Sequence, residues 1–176
     1  MSLRLVLDHF TRRLPGCRDS TGVAAIEFAI YSTVILILLA GTVDLGLELY
    51  TEFQLDNAVN AGVQYVMNNA AEVGTSPSTL SSTAQSLVAN LNGTSWATAT
   101  VNVNNSNDSS GCYCPTGTPG NWSWGGAVSC GSTCSGSGVG GQFVTITASR
   151  SISPLFPAFS FVRNGSVSRY ALIETQ

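Results

Sequence analysis

The chain has no lysine and one histidine, His9, among 176 residues of which 10% are charged. So little histidine excludes Ser-His-Asp and Cys-His sites from the body of the chain, since both need an imidazole to move the nucleophile's proton. Arginine is the only strong cation. Arg4, Arg12, Arg13 and Arg18 precede Gly22, and only Arg150, Arg163 and Arg169 lie downstream. The net charge of −3 therefore combines a basic start with a weakly acidic body. Polyanion recognition needs a basic patch interleaved with aromatic side chains. Nothing after Gly22 supplies one, so nucleic acid is not an expected partner.

Phosphate-cradling loops are missing too. Gly136, Gly138, Gly140 and Gly141 are loosely spaced and no helical pattern follows them. The stretch "NVNNSNDSSG" lacks the acidic spacing and terminal glutamate of a calcium loop. External acids cluster along one helical stripe instead of converging from several elements, which disfavours paired-carboxylate catalysis. The expectation is a protein that is not an enzyme and carries no cofactor.

What the chain does contain is an apolar run with a glutamate just inside its start. From Phe28 to Val43 there is no charge, and from Val23 onward Glu27 is the one interruption. About 30 Å of hydrocarbon takes roughly 20 helical residues, so this segment can span a bilayer. Arginines before it and Asp44, Glu48 and Glu52 after it orient the span by the positive-inside rule, with the N-terminus cytoplasmic and the rest outside. A cleaved secretory signal is the rival reading. Its apolar core runs about 7–15 residues before an A-x-A-like site, and Leu38-Leu39-Ala40 fits that poorly.

The helical pattern continues past the membrane. Leu55, Val59, Val63, Val66 and Ala70 recur at helical spacing, with Gln54, Asn57, Gln64 and Asn68 opposite. Gly74 and Pro77 are the first stop signals, so one helix is expected over residues 23–69, roughly 70 Å long at 1.5 Å per residue. Glu48, Glu52 and Asp56 form an acidic stripe on it. That stripe reads as a solvated face, or else as a dock for arginines of a neighbouring subunit. Gly46 and Gly62 are positions where helices could approach closely.

A second helix is punctuated by Ser76 as cap, Pro77 at its first position and Gly93 at its end, with Leu80, Ala84, Leu87 and Leu91 as its buried stripe. The period then becomes two. Ala99, Val101 and Val103 alternate with polar residues, as do Val144, Ile146 and Ala148, and a third strand is expected over Ser166–Glu174. Helices followed by strands imply an α+β fold, with a small antiparallel sheet packed on the long helix.

Residues 104–141 are rich in Asn, Ser, Gly and Thr and hold Cys112, Cys114, Cys130 and Cys134. Outside the cytoplasm these can form two disulfides that brace an otherwise unstructured loop. Of the three possible pairings, those joining Cys112 to Cys114 strain so short a loop, and the other two stay open. A zinc site is the rival, but the spacing matches no standard finger. Cys17 lies in the leader and is expected to be a free thiol. "SPLFPAFSF", starting at Ser153, either plugs the core with its aromatics or presents a contact surface.

"TGVAAIEFAI" with "GTVDLGLELYTEFQLDNAVNAGVQY" resembles the N-terminal region of TadE-like proteins, the minor pilins or pseudopilins of tight-adherence (Flp-type) pilus systems. Gly22, Ala24, Ala25, Ile26, Glu27, Phe28 and Ala29 carry the likeness at the membrane entry. Gly41, Asp44, Gly46, Tyr50, Ala58, Ala61, Gly62 and Tyr65 continue it. The paired-cysteine insert and "FVTITASRSISPLFP" also look like that family. Thr33 departs from the pattern, where relatives are expected to have a kink-forming proline.

The resemblance implies cleavage between Gly22 and Val23 by a membrane prepilin peptidase, which leaves Glu27 fifth in the mature chain. Glu27 and Phe28 would then serve subunit assembly, with Glu27 paired to the new amine of another subunit. The plainer reading of Glu27 is a carboxylate at a helix start that snorkels to the interface. The expected organisation is a basic cytoplasmic leader over 1–22, a transmembrane helix over 23–43, its external continuation over 44–75, and an external α+β domain over 76–176 with the cysteine insert. Expected partners are the membrane, the prepilin peptidase, other Tad pilus subunits and assembly-platform proteins. The expected location is the bacterial inner membrane, with the domain periplasmic. An uncleaved, membrane-anchored binding domain is the alternative.

Overall fold

The computed structural model describes residues 20–105, 110–136, 138–154 and 165–175. His9, Cys17 and the basic leader lie outside the described residues, as do most of "SPLFPAFSF" and part of "NVNNSNDSSG". The fold is α+β. Its elements are α1 (Ser20–Asn68), α2 (Glu72–Thr75), α3 (Pro77–Asn90), β1 (Thr98–Val103), β2 (Thr116–Thr118), β3 (Asn121–Ser123), β4 (Phe143–Ser151) and β5 (Ser166–Glu174).

The chain divides into two units, Met1–Thr42 and Val43–Gln176, and α1 contributes to both. In the first unit, α1 is apolar on every side. Its Thr33 hydroxyl donates to the Ala29 carbonyl at 2.9 Å within an unbroken helix. Ser32 and Thr42 bond back to carbonyls of the preceding turn in the same way, which keeps their hydroxyls satisfied without water.

In the second unit, β1, β4 and β5 form an antiparallel sheet in the order β1-β4-β5. Val101 pairs with Ile146, and Ile146 with Ala171, so the apolar residues of all three strands share one face. That face packs against Leu55, Ala58, Val59 and Val66 of α1, Val73 of α2, and Leu80, Ala84 and Val88 of α3. Gly62 sits in the middle of this contact. A Cβ there would lie 2.5 Å from Val88 Cγ2 and 3.1 Å from Ile146 Cδ1, so the helix can meet its neighbours this closely only with glycine.

Two details of the helices differ from expectation. The buried stripe of α3 is Leu80, Ser81, Ala84 and Val88, with Leu91 exposed. The helix stops at Asn90, before the pattern reaches Leu91, so the face turns toward Val88 to meet the sheet. Ser76 makes no side-chain cap, and the backbone N–H of Leu80 bonds to its carbonyl instead.

The opposite face of the sheet carries the cysteine insert. Asn104, with φ of +55°, turns the chain out of β1. Its buried Oδ1 accepts the Phe143 N–H at 2.9 Å, while its own N–H donates to the Phe143 carbonyl at 2.7 Å. The insert is not formless. It holds the hairpin β2-β3, with Gly117 opposite Trp122, and a small cluster in which Trp124 meets Tyr113 and Phe143 edge-on.

Candidate functional site

Gly22, Val23, Glu27 and Phe28 all lie on the exposed surface of α1, which is long and apolar enough to cross a membrane. Phe28 is 73% exposed and the neighbouring Val23, Ile26 and Ile30 are similarly uncovered. A helix apolar all round and left uncovered by the described residues needs lipid or other helices around it. Glu27 is the one carboxylate on that surface between Val23 and Val43, and no arginine, lysine or histidine accompanies it there.

Farther along α1 the acidic stripe is graded in exposure. Glu48 is 6% exposed, and Asp44 one turn before it 1%, whereas the side chains of Glu52 and Asp56 are 36% and 45% exposed. Positions 44, 48, 52, 55, 59, 62 and 66 follow each other at steps of three and four, which makes the acids the continuation of the core-facing stripe. Arg169 of β5 supplies a countercharge within the chain. Its Nε donates to Asp56 Oδ1 at 2.7 Å and its NH2 group to Glu52 Oε2 at 3.0 Å. One guanidinium is thus shared by the two carboxylates of Glu52 and Asp56. Arg169 escaped the sequence reading, although a signal was there: it occupies an inward register position of β5, opposite Ala148.

The cysteines pair as Cys112–Cys130 and Cys114–Cys134, with Cα separations of 5.2 and 5.8 Å. The two loops interleave, so both ends of the insert are tied at once, and the metal rival has no free thiolates left among these four. Gly46 faces open space within the chain, unlike Gly62. Trp96, where the chain approaches β1, lies beneath Arg150, whose guanidinium is 4.4 Å from the ring centre and donates to the Trp96 carbonyl.

The family model described as TadE-like protein matches residues 22–64. The match begins at Gly22, takes in Glu27, Phe28 and the buried Asp44 and Glu48, and ends two residues past Gly62. No curated protein and no solved structure matches the chain significantly. The TadE-like segment thus joins two kinds of surface on one helix. Its first part is uncovered and apolar, and its second packs on the sheet of the second unit.

Proposed function

We propose that this chain is a TadE-like minor pilin or pseudopilin that acts structurally in assembling a Tad (Flp-type) pilus. It is made as a precursor, and a prepilin peptidase cuts it between Gly22 and Val23. The observation that carries this reading is the TadE-like match starting at Gly22, at the head of an apolar helix with the exposed Glu27 near its start. Cleavage turns Val23 into an amine cation at the membrane edge. Glu27 of one subunit then pairs with the amine of the next, setting the register of packed helices. In a low-dielectric helix bundle, removing one partner of such a pair costs about 3–5 kcal/mol, because the other is left as an uncompensated charge. Other Tad subunits and platform proteins meet the uncovered face of α1.

The proposed topology is a single inner-membrane pass, with the leader cytoplasmic and the second unit periplasmic. The arginines ahead of Gly22 and the two disulfides support it. The test is intact mass and N-terminal sequencing of native protein extracted from membranes, beside a Gly22→Ala variant. A mature chain starting at Val23, with cleavage lost in the variant, is the expected result. A chain starting at Met1 in both overturns the processing claim and leaves an uncleaved, membrane-anchored binding domain.

A further inference from the structure

The outward face of the sheet carries a cleft that pilus assembly by α1 does not use. Its floor is polar and neutral: Asn102 of β1 pairs with Thr145 of β4, and Thr147 of β4 pairs with Tyr170 of β5. Its walls are aromatic. Trp122 and Trp124 come from the β2-β3 hairpin and the residues just after it, and Tyr170 from β5. The cleft is open to solvent and holds about 150 Å³, on the scale of a single sugar ring.

The walls are held in place before any ligand arrives. Gly120, at φ of +84°, brings the hairpin turn so close to Tyr170 that a Cβ would lie 2.9 Å from its ring. Trp124 is fixed edge-on between Tyr113 and Phe143, both at 6.3 Å between ring centres. The disulfide from Cys114 anchors the hairpin two residues before β2. Even so, Tyr170 is 46% exposed, and both tryptophans are partly open to solvent.

We propose that the cleft walled by Trp122, Trp124 and Tyr170 is a binding site for a neutral pyranose sugar, as a free glycan or as the end of a surface polysaccharide. Three features together select that chemistry. A pyranose ring presents an apolar C–H face that packs on aromatic rings, and a rim of hydroxyls that both donate and accept. Asn102, Thr145 and Thr147 offer amide and hydroxyl groups that match such a rim. Ligand sites generally combine aromatic walls with a few placed polar groups in this way. The described lining contains no charged residue, which disfavours anionic sugars, phosphates and single-stranded nucleic acid; the last stacks on aromatics but also needs a cationic groove. This inference goes beyond the assembly role and does not depend on it.

The experiment uses the full chain in micelles of an amine-oxide detergent, because a maltoside headgroup would itself be a ligand. Chitotetraose, maltotetraose, cellotetraose and lacto-N-tetraose are titrated to about 10 mM, well into the range where weak sugar sites fill. Tryptophan emission and saturation-transfer NMR report binding. At least one of the four should bind, with affinity reduced about tenfold or more, roughly 1.4 kcal/mol, in Trp122→Ala and in Tyr170→Ser. Trp96→Phe, on the far side of the sheet, should leave it unchanged. If Trp122→Ala misfolds by near-ultraviolet circular dichroism, Tyr170→Ser and Thr147→Val decide. Silence with all four sugars overturns the proposal, as does binding unaltered by the folded variants. A response to heparin or oligothymidylate with none to the neutral sugars overturns it equally.

Discussion

Arg169 on β5 reaches across 113 residues of sequence to hold Asp56 of α1, with Nε 2.7 Å from Oδ1. Its other arm holds Glu52 at 3.0 Å, so one cation clamps the long helix to the last strand. These groups are a third to nearly half exposed, and water screens much of the attraction. Arg169→Ala should therefore cost only about 1 kcal/mol, seen as a lower thermal midpoint of the second unit. Arg169→Lys should recover part of it, since an ammonium keeps the charge but not the fork that grips two carboxylates. Salt at about 1 M should narrow the gap between wild type and Arg169→Ala. Equal midpoints for all three at low salt would show the clamp to be energetically idle.

Gly62 should tolerate no side chain. An added Cβ meets Val88 Cγ2 at 2.5 Å and has Ile146 behind it, in a core with no spare room. Gly62→Ala should lower stability by about 1–3 kcal/mol in denaturant titrations, despite alanine's better helix propensity. Gly46→Ala serves as the contrast, because nothing in the chain lies within 4 Å of its Cβ. It should leave the midpoint unchanged or raise it slightly. A stable Gly62→Ala protein would mean that α1 can slide over α3 and β4.

Non-reducing peptide mapping should recover Cys112 joined to Cys130 and Cys114 joined to Cys134. Each bridge closes a loop of about 20 residues, worth about 3 kcal/mol by loop entropy. Replacing Cys114 and Cys134 together by serine should raise hydrogen exchange in β2 and β3. The amides of β4 should stay protected, because β4 is paired with β1 and β5 and its inner face is packed by α1, α2 and α3. Uniform loss of protection would instead make the insert part of one cooperative unit.

Glu27→Gln separates processing from assembly. The substitution preserves size and one acceptor oxygen but removes the charge proposed to meet the Val23 amine. Mature protein should still start at Val23, while surface pili fall below detection by electron microscopy of cells carrying the variant in place of wild type. Normal piliation with Glu27→Gln would reduce the glutamate to a residue that merely sits at the head of its helix.

Much of this architecture is legible in the chain itself, because it rests on local periodicity. The 3.6-residue pattern through Leu55, Val59 and Val66 and the alternation in β1, β4 and β5 each report a buried face directly, while the apolar run from Val23 reports a helix that nothing described in the chain covers. What periodicity cannot report is which face a charged residue shares with the core. Glu52 and Asp56 look like wholly solvent-facing acids until β5 brings Arg169 against the helix. The hairpin is hidden for a related reason: β2 and β3 are three residues each and mostly exposed, so they have no pattern to show. Local sequence determined the membrane-capable helix, the strands and the cysteine brace, since neighbouring residues suffice to encode them. Tertiary structure alone decided the Arg169 clamp, the fit at Gly62, the disulfide pairing and the aromatic cleft, because each joins residues that only folding brings within contact distance.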